Sequence, residues 1–233
     1  MRKVLGCIKR AQEEFDMIQD GDVVGVGVSG GKDSMVLLYA LYLYKHFSPV
    51  SYELKALTVD MGFEGFDIHS IETFCRSRNI DFIHAKTEMG KLIFEEKKEN
   101  NPCSLCSRMR RGLLNRLCDE NGITKLALGH HGDDLIGSFF MSMMFESRLN
   151  SFKPVTVFER AEVIQIRPLI YAEERDIYEA AEKHSIPAVT NPCPASGHTQ
   201  REAVKELTEV MEKTTGQPRS HIINALCRSY LIK

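Results

Sequence analysis

The chain has 233 residues, 43% hydrophobic and 27% charged, with a formal net charge of −2 at pH 7. That length and balance allow one substantial core with at most a small appendage, exclude a disordered chain, and do not by themselves announce a nucleic-acid binder. The longest apolar run, residues 36–44, is too short to cross a bilayer, and no signal-like apolar segment follows Arg2 and Lys3, so a cytoplasmic protein with no membrane partner is expected.

Val4, Ile8, Ala11, Phe15 and Ile18 recur at helical spacing up to Asp20-Gly21, which predicts an amphipathic N-terminal helix. Strand candidates follow at 22–28, 54–59, 81–85, 125–128 and 162–166, separated by helical stretches at 33–46, 68–78, 106–120 and 133–145. Strands alternating with helices predict an α/β fold, a parallel five-stranded sheet with helices on both faces. Beyond Pro168 the pattern is helical, at 173–183, 201–213 and 219–230, with Pro187, Pro192 and Pro194 marking a rigid loop. Three units are expected: an N-terminal helix (1–20), a nucleotide-binding domain (21–170) and a helical C-terminal extension (171–233).

Between the first strand and its helix stands Ser29-Gly30-Gly31-Lys32-Asp33-Ser34. Such a turn aims successive amide N–H groups at one anion, the helix adds its positive end, Lys32 a charge, and Ser34 a hydroxyl donor or metal ligand. A Walker loop would need Gly at the place of Val26 and Ser or Thr at that of Asp33. The dinucleotide spacing of Gly25, Gly27 and Gly30 does match, but Asp60 lies farther on than the usual ribose carboxylate. A glycine turn with a helix cap at Ser29 or Asp33 would explain the glycines and leave Lys32 idle. In a parallel sheet the loops after Ser29, Asp60 and Gly129 converge at the carboxyl ends of their strands.

Seven cysteines in a cytoplasmic chain read as metal ligands or redox groups where they cluster. Cys103 and Cys106 form a C-x-x-C turn between Pro102 and a basic helix, and Cys193 stands between Pro192 and Pro194. Spacing leaves three functions equally open: ligands of an iron-sulfur cluster, a zinc site completed by a residue such as His198, or a disulfide-forming sulfur relay. Cys7, Cys75, Cys118 and Cys227 lie singly in helical stretches and read as small buried residues. Around the C-x-x-C pair the charge is locally positive: Lys97, Lys98, Arg108, Arg110, Arg111 and Arg116 stand against Glu99 alone, a patch able to bind RNA or, equally, to be a solvated helix face. A third signature, Leu128-Gly129-His130-His131-Gly132-Asp133-Asp134, starts at a strand end and opens a helix. Asp134 reads as a cap, Asp133 as a group orienting Mg²⁺ or substrate, and either His130 or His131 as a contact to phosphate or base.

The string at 29–34 resembles the PP-loop of the ATP pyrophosphatase superfamily, whose members cleave ATP between the α and β phosphates and adenylate a substrate oxygen. With Cys-Ser-Leu-Cys-Ser-Arg-Met-Arg-Arg-Gly at 103–112, the motif at 128–134, Ile-Arg-Pro-Leu at 166–169 and Pro-Cys at 192–193, the order resembles the tRNA 2-thiocytidine synthetase family over most of the chain. The resemblance implies an ATP-dependent tRNA thiolase using Mg²⁺ and a [4Fe-4S] cluster, with Cys103, Cys106 and Cys193 as ligands. It also implies that Ser29 to Ser34 form the PP-loop and that Asp133 is an active-site acid; with the strand-end loops and the basic helix, the expected nucleotide site is Ser29, Gly30, Gly31, Lys32, Asp33, Ser34, Asp60, Gly129 and His130, and the expected catalytic residues are Lys32, Asp33, Asp133 and Arg110. Expected partners are tRNA and a sulfur donor such as a cysteine desulfurase, with a homodimer left open. The chain departs from the family at Gly137-Ser138, where a Glu-Thr pair is usual, and at Pro194, Ala195 and Ser196, where a further cysteine is common. The alternative reading is a cluster-free PP-loop ligase, or a paralogue acting on another base or a small molecule.

Overall fold

The apolar run after Gly21 becomes β1 (Asp22–Gly27), the strand on which the architecture turns. A computed structural model describes residues 1–96, 102–158, 163–189, 192–193 and 200–229. In chain order the elements are α1 (Arg2–Phe15), β1, α2 (Lys32–Tyr44), β2 (Tyr52–Asp60), α3 (Ile68–Arg76), β3 (Asp81–Lys86), a short α4 (Met89–Lys91) running into a π-helical turn (Leu92–Glu96), and α5 (Pro102–Glu120). They continue as β4 (Lys125–Ala127), α6 (Gly132–Glu146), β5 (Val155–Thr156), β6 (Ile164–Ile166), α7 (Glu174–Lys183), α8 (Gln200–Thr215) and α9 (Arg219–Arg228).

The sheet order is β3-β2-β1-β4-β6-β5. All five expected strands are present and parallel, and β5 adds a sixth, antiparallel to β6. Successive strands leave β1 in opposite directions, β2 on one side and β4 on the other, so a crevice opens at the carboxyl end of β1. After its first turn α2 is apolar around most of its circumference, because most of it is covered: Met35, Val36, Leu37, Leu38, Ala40 and Leu41 are fully buried, while Tyr39, Tyr42 and Leu43 are half-buried. Each such side chain contributes about 1.5–3 kcal/mol of burial, which pins the loop preceding α2 to the sheet.

α1 ends at Phe15 rather than near residue 20, because Asp16 takes a left-handed conformation (φ 46°). The buried Gln12 then clasps Ile18 by both backbone groups, donating to its carbonyl at 2.6 Å and accepting from its N–H at 2.9 Å. α5 begins at Pro102, whose fixed φ and missing N–H suit a first helical position. The C-x-x-C pair therefore lies in the opening turns of α5, not in a turn before it. One core contains Val4 and Ile8 of α1, Val26 of β1, and Ile223 and Cys227 of α9, so the three expected units share their interior. Of the sequence expectations, Lys97, Lys98, Glu99, the strand start at Glu162, Pro194, Ala195, Ser196, His198 and Tyr230 lie outside the described residues.

Candidate active site

At the carboxyl end of β1 the chain turns through Ser29, Gly30 and Gly31 into α2. Gly30 has φ +83°, a conformation that L side chains rarely adopt, and a Cβ there would stand 3.0 Å from that of Val189. The two serine hydroxyls hold the turn shut: Ser34 Oγ donates to Gly31 O (2.9 Å) and accepts from Ser29 N–H (3.2 Å), while the two Oγ atoms lie 3.3 Å apart. The loop after β4 closes on this turn. Gly129 lets the two backbones approach closely, since a Cβ there would stand 3.0 Å from Ser34 N and 3.1 Å from Ser34 Cα, tight contacts against backbone.

These loops form one wall of a cavity of about 500 Å³. Ser29, Gly31, Asp33, Ser34, Asp60, Gly129, His130 and Asp134 line it, with Phe63 and Phe66 on the β2 side. Asp60 is held by accepting the Gly62 N–H at 2.8 Å, and its other oxygen lies 3.8 Å from His84 Nε2. The same cavity is also lined by Cys103, Cys106, Arg110 and Arg111 of α5 together with Pro192 and Cys193. Arg110 Nη2 donates to the Cys106 sulfur at 3.6 Å, and its buried Nε has no hydrogen-bond partner among the described residues, an orphan donor on the cavity wall.

None of the seven cysteines is in a disulfide. Burial pushes the thiols of Cys7, Cys75 and Cys227 up to about 11 and that of Cys118 up to about 12, as suits core filler. The other three differ in place: Cys103 is exposed, Cys106 is buried and Cys193 is half-buried, and all three line the cavity. Among the described residues no three His, Cys, Asp or Glu side chains stand close enough to hold a single metal ion. Three cysteine sulfurs spread around one cavity, with an arginine donating to one of them, suit a group larger than an ion, such as an iron-sulfur cluster.

A further arginine, which sequence reasoning quoted only within Ile-Arg-Pro-Leu, also lines the cavity. Arg167 follows β6, is buried, and donates from Nε to His130 Nδ1 (3.3 Å) and from Nη1 to Lys153 O (2.6 Å) and Thr156 Oγ1 (3.0 Å). Because a guanidinium N–H can only donate, His130 Nδ1 is the acceptor in this contact. His130 packs in turn on Phe152, with ring centroids 5.2 Å apart.

Residues 6–212 match the PP-loop domain family. A tRNA-cytidine(32) 2-sulfurtransferase of Geobacter sulfurreducens is 35% identical over 228 residues, covering 97% of this chain and 89% of that one. The chain is a PP-loop protein of the tRNA-cytidine 2-sulfurtransferase family. Among solved structures, the U34-tRNA thiolase NcsA from Methanococcus maripaludis, described with its [4Fe-4S] cluster, is 27% identical with a TM-score of 0.76, covering 96% of this chain and 76% of that one. An NH3-dependent NAD synthetase from Campylobacter jejuni, 13% identical with a TM-score of 0.53, covers 97% of this chain and 93% of its own and shares the fold alone.

Within this sulfurtransferase frame, three expected site residues stand away from the cavity. Asp133 accepts from Arg219 Nη1 and from the Glu174 N–H, both at 2.7 Å, so its carboxylate ties α6 to α7 and α9. Its neighbour Asp134, expected as a cap, does accept from the His131 N–H at 3.1 Å, and it is this carboxylate that lines the cavity. Lys32 Nζ lies 3.1 Å from Asp33 Oδ1 and 3.5 Å from Glu174 Oε1, in a neighbouring cleft with Lys205 and Arg219. Gly30 turns its carbonyl to the Val189 N–H at 2.8 Å, which ties the loop to the segment leading towards Cys193. His131 is buried beside both aspartates, 3.7 Å from Asp133 and 3.5 Å from Asp134, so the histidine on the cavity is His130.

Proposed function

We propose that this protein is an ATP-dependent tRNA sulfurtransferase that replaces the C2 oxygen of a cytidine in the anticodon loop with sulfur. The observation that carries this reading is that PP-loop residues and the three thiols line one cavity. An oxide is a poor leaving group, so the base oxygen first attacks the α-phosphorus of ATP and pyrophosphate departs; sulfur then adds at C2 and AMP leaves with the oxygen. Ser29, Gly31 and Ser34, at the N-terminal end of α2, receive the pyrophosphate. Asp33 and Asp134 are the carboxylates placed to hold Mg²⁺ at the phosphates, and Asp60 and the aromatic side of the cavity take the nucleoside. Arg110, with its orphan donor and its bond to Cys106, supplies positive charge between the two walls, where charge builds on oxygen and sulfur.

A [4Fe-4S] cluster held by Cys103, Cys106 and Cys193, with its fourth iron open, would supply the sulfur nucleophile. The sulfur reaches the site from a donor such as a cysteine desulfurase, and the enzyme works in the cytoplasm; among the described residues no helix is long and apolar enough to cross a membrane. The test is anaerobic turnover with ATP, sulfide and tRNA from cells lacking the gene. AMP formed in step with 2-thiocytidine supports the reading. AMP formed without any dependence on tRNA sinks it in favour of a ligase acting on a small molecule.

A further inference from the structure

Arg167 is a buried cation with no counter-charge among the described residues. Its side chain is only 7% exposed, and its three hydrogen bonds, to His130, Lys153 O and Thr156, all go to neutral acceptors. Among the described residues no carboxylate pairs with it, and its charged neighbour is another arginine: burial, and then Arg111, pull its pKa down to about 10. Arg111 is exposed on α5, lines the same cavity, and makes no ion pair among the described residues. Two cations lining one cavity without a carboxylate partner among the described residues, one of them desolvated, are costly unless a ligand brings the anion.

The position of Arg167 says which anion. β6 is separated from β1 by β4, which at ordinary strand spacing is about 10 Å. Arg167 therefore stands away from the phosphates cradled after β1, on the flank opposite Asp60 and the aromatic side chains after β2. On the reading above the nucleoside takes that other flank and the pyrophosphate the turn after β1, which leaves the RNA backbone as the anion that matches the β6 flank. We propose that Arg167, braced by His130 and assisted by Arg111, forms an anion subsite that grips one backbone phosphate of the RNA substrate beside the target base. Its Nη2 is the donor left for that phosphate, and the bonds from Nε and Nη1 fix the plane of the guanidinium before RNA arrives.

This inference rests on the tRNA reading above, and the experiment separates the two. Binding of tRNA from cells lacking the gene is measured for the full chain, Arg167→Met and Arg111→Gln between about 50 and about 200 mM salt, with ATP affinity measured alongside by calorimetry. Arg167→Met is expected to weaken tRNA binding about tenfold at the low-salt end and to make the slope of log K against log salt shallower by about one, with ATP affinity unchanged. Arg111→Gln, an exposed change that does not disturb folding, is expected to flatten the slope in the same direction, and it decides the matter if Arg167→Met does not fold. Unchanged slopes in the folded variants overturn the subsite, as does a loss of ATP affinity in Arg167→Met with tRNA binding intact, which would give the arginine to the nucleotide. A wild-type protein that binds no tRNA overturns the subsite and the thiolase reading together.

Discussion

The two walls of the cavity are built in opposite ways. The PP-loop wall is built around Ser29, Gly31, Asp33 and Ser34 of one six-residue turn whose conformation is fixed locally: two serines bond across the turn, Gly30 takes a conformation open to glycine, and α2 buries most of its apolar residues behind them. The thiol wall is assembled from distant pieces, the first turns of α5 and the Pro192-Cys193 step, with Cys103 exposed and Cys193 half-buried. A phosphate cradle made of backbone amides must exist before its ligand does, whereas thiols can be drawn into place by what they bind. The first wall should therefore work without the second, and the second should not organise sulfur without its full set.

The largest expected effect follows directly. Cys193→Ser should reduce tRNA thiolation to background while ATP binding, read by calorimetry, stays at the wild-type level. Next come the adjacent carboxylates. Asp134→Asn should cut turnover about 100-fold, as expected when a metal-orienting group is lost, with the unfolding midpoint unmoved. Gly129→Ala pushes a Cβ against Ser34 and should weaken ATP binding about tenfold, since backbone cannot give way as a side-chain end can. Asp133→Asn should do the reverse of Asp134→Asn: it weakens the pair with Arg219 and costs about 1–3 kcal/mol of stability in urea unfolding, with turnover per folded molecule retained.

The smallest effect is one of pH and concerns the cysteines outside the cavity. The thiols of Cys7, Cys75, Cys118 and Cys227 titrate above the 9.0 of an ordinary thiol because burial disfavours the thiolate. The folded state thus keeps protons that the unfolded chain releases. Stability from this source is fully present below pH 9 and falls as pH climbs towards 11 to 12. Alkylation near pH 8 should accordingly modify Cys103 and leave those four unlabelled, as peptide mass mapping would read.

How much of this was legible in the sequence follows the same division. The PP-loop, the five parallel strands and the C-x-x-C pair are local patterns, and each was readable because a short apolar run or a fixed spacing encodes it. β5 is two residues long, and the turn at Met89–Glu96 is too short to carry a period, so neither had a signal. Asp133 and Asp134 are neighbours on a helix, pointing roughly 100° apart, and only the arrival of Arg219 from α9 decides which one faces the cavity. Lys32 was assigned to phosphate by its place in the motif, but Glu174 of α7 competes for it. Arg167 stood in plain view within Ile-Arg-Pro-Leu. What made it notable, a buried cation surrounded by neutral acceptors, is a tertiary fact.

The central claim is that one cavity both activates the base with ATP and delivers sulfur from the thiol wall. It is tested most directly by mass spectrometry of tRNA nucleosides from cells lacking the gene, complemented with the wild-type chain or with Cys193→Ser. The account predicts that 2-thiocytidine disappears in the deletion, returns with the wild type and stays absent with Cys193→Ser. Undiminished 2-thiocytidine in the deletion, or its full return with Cys193→Ser, would contradict it.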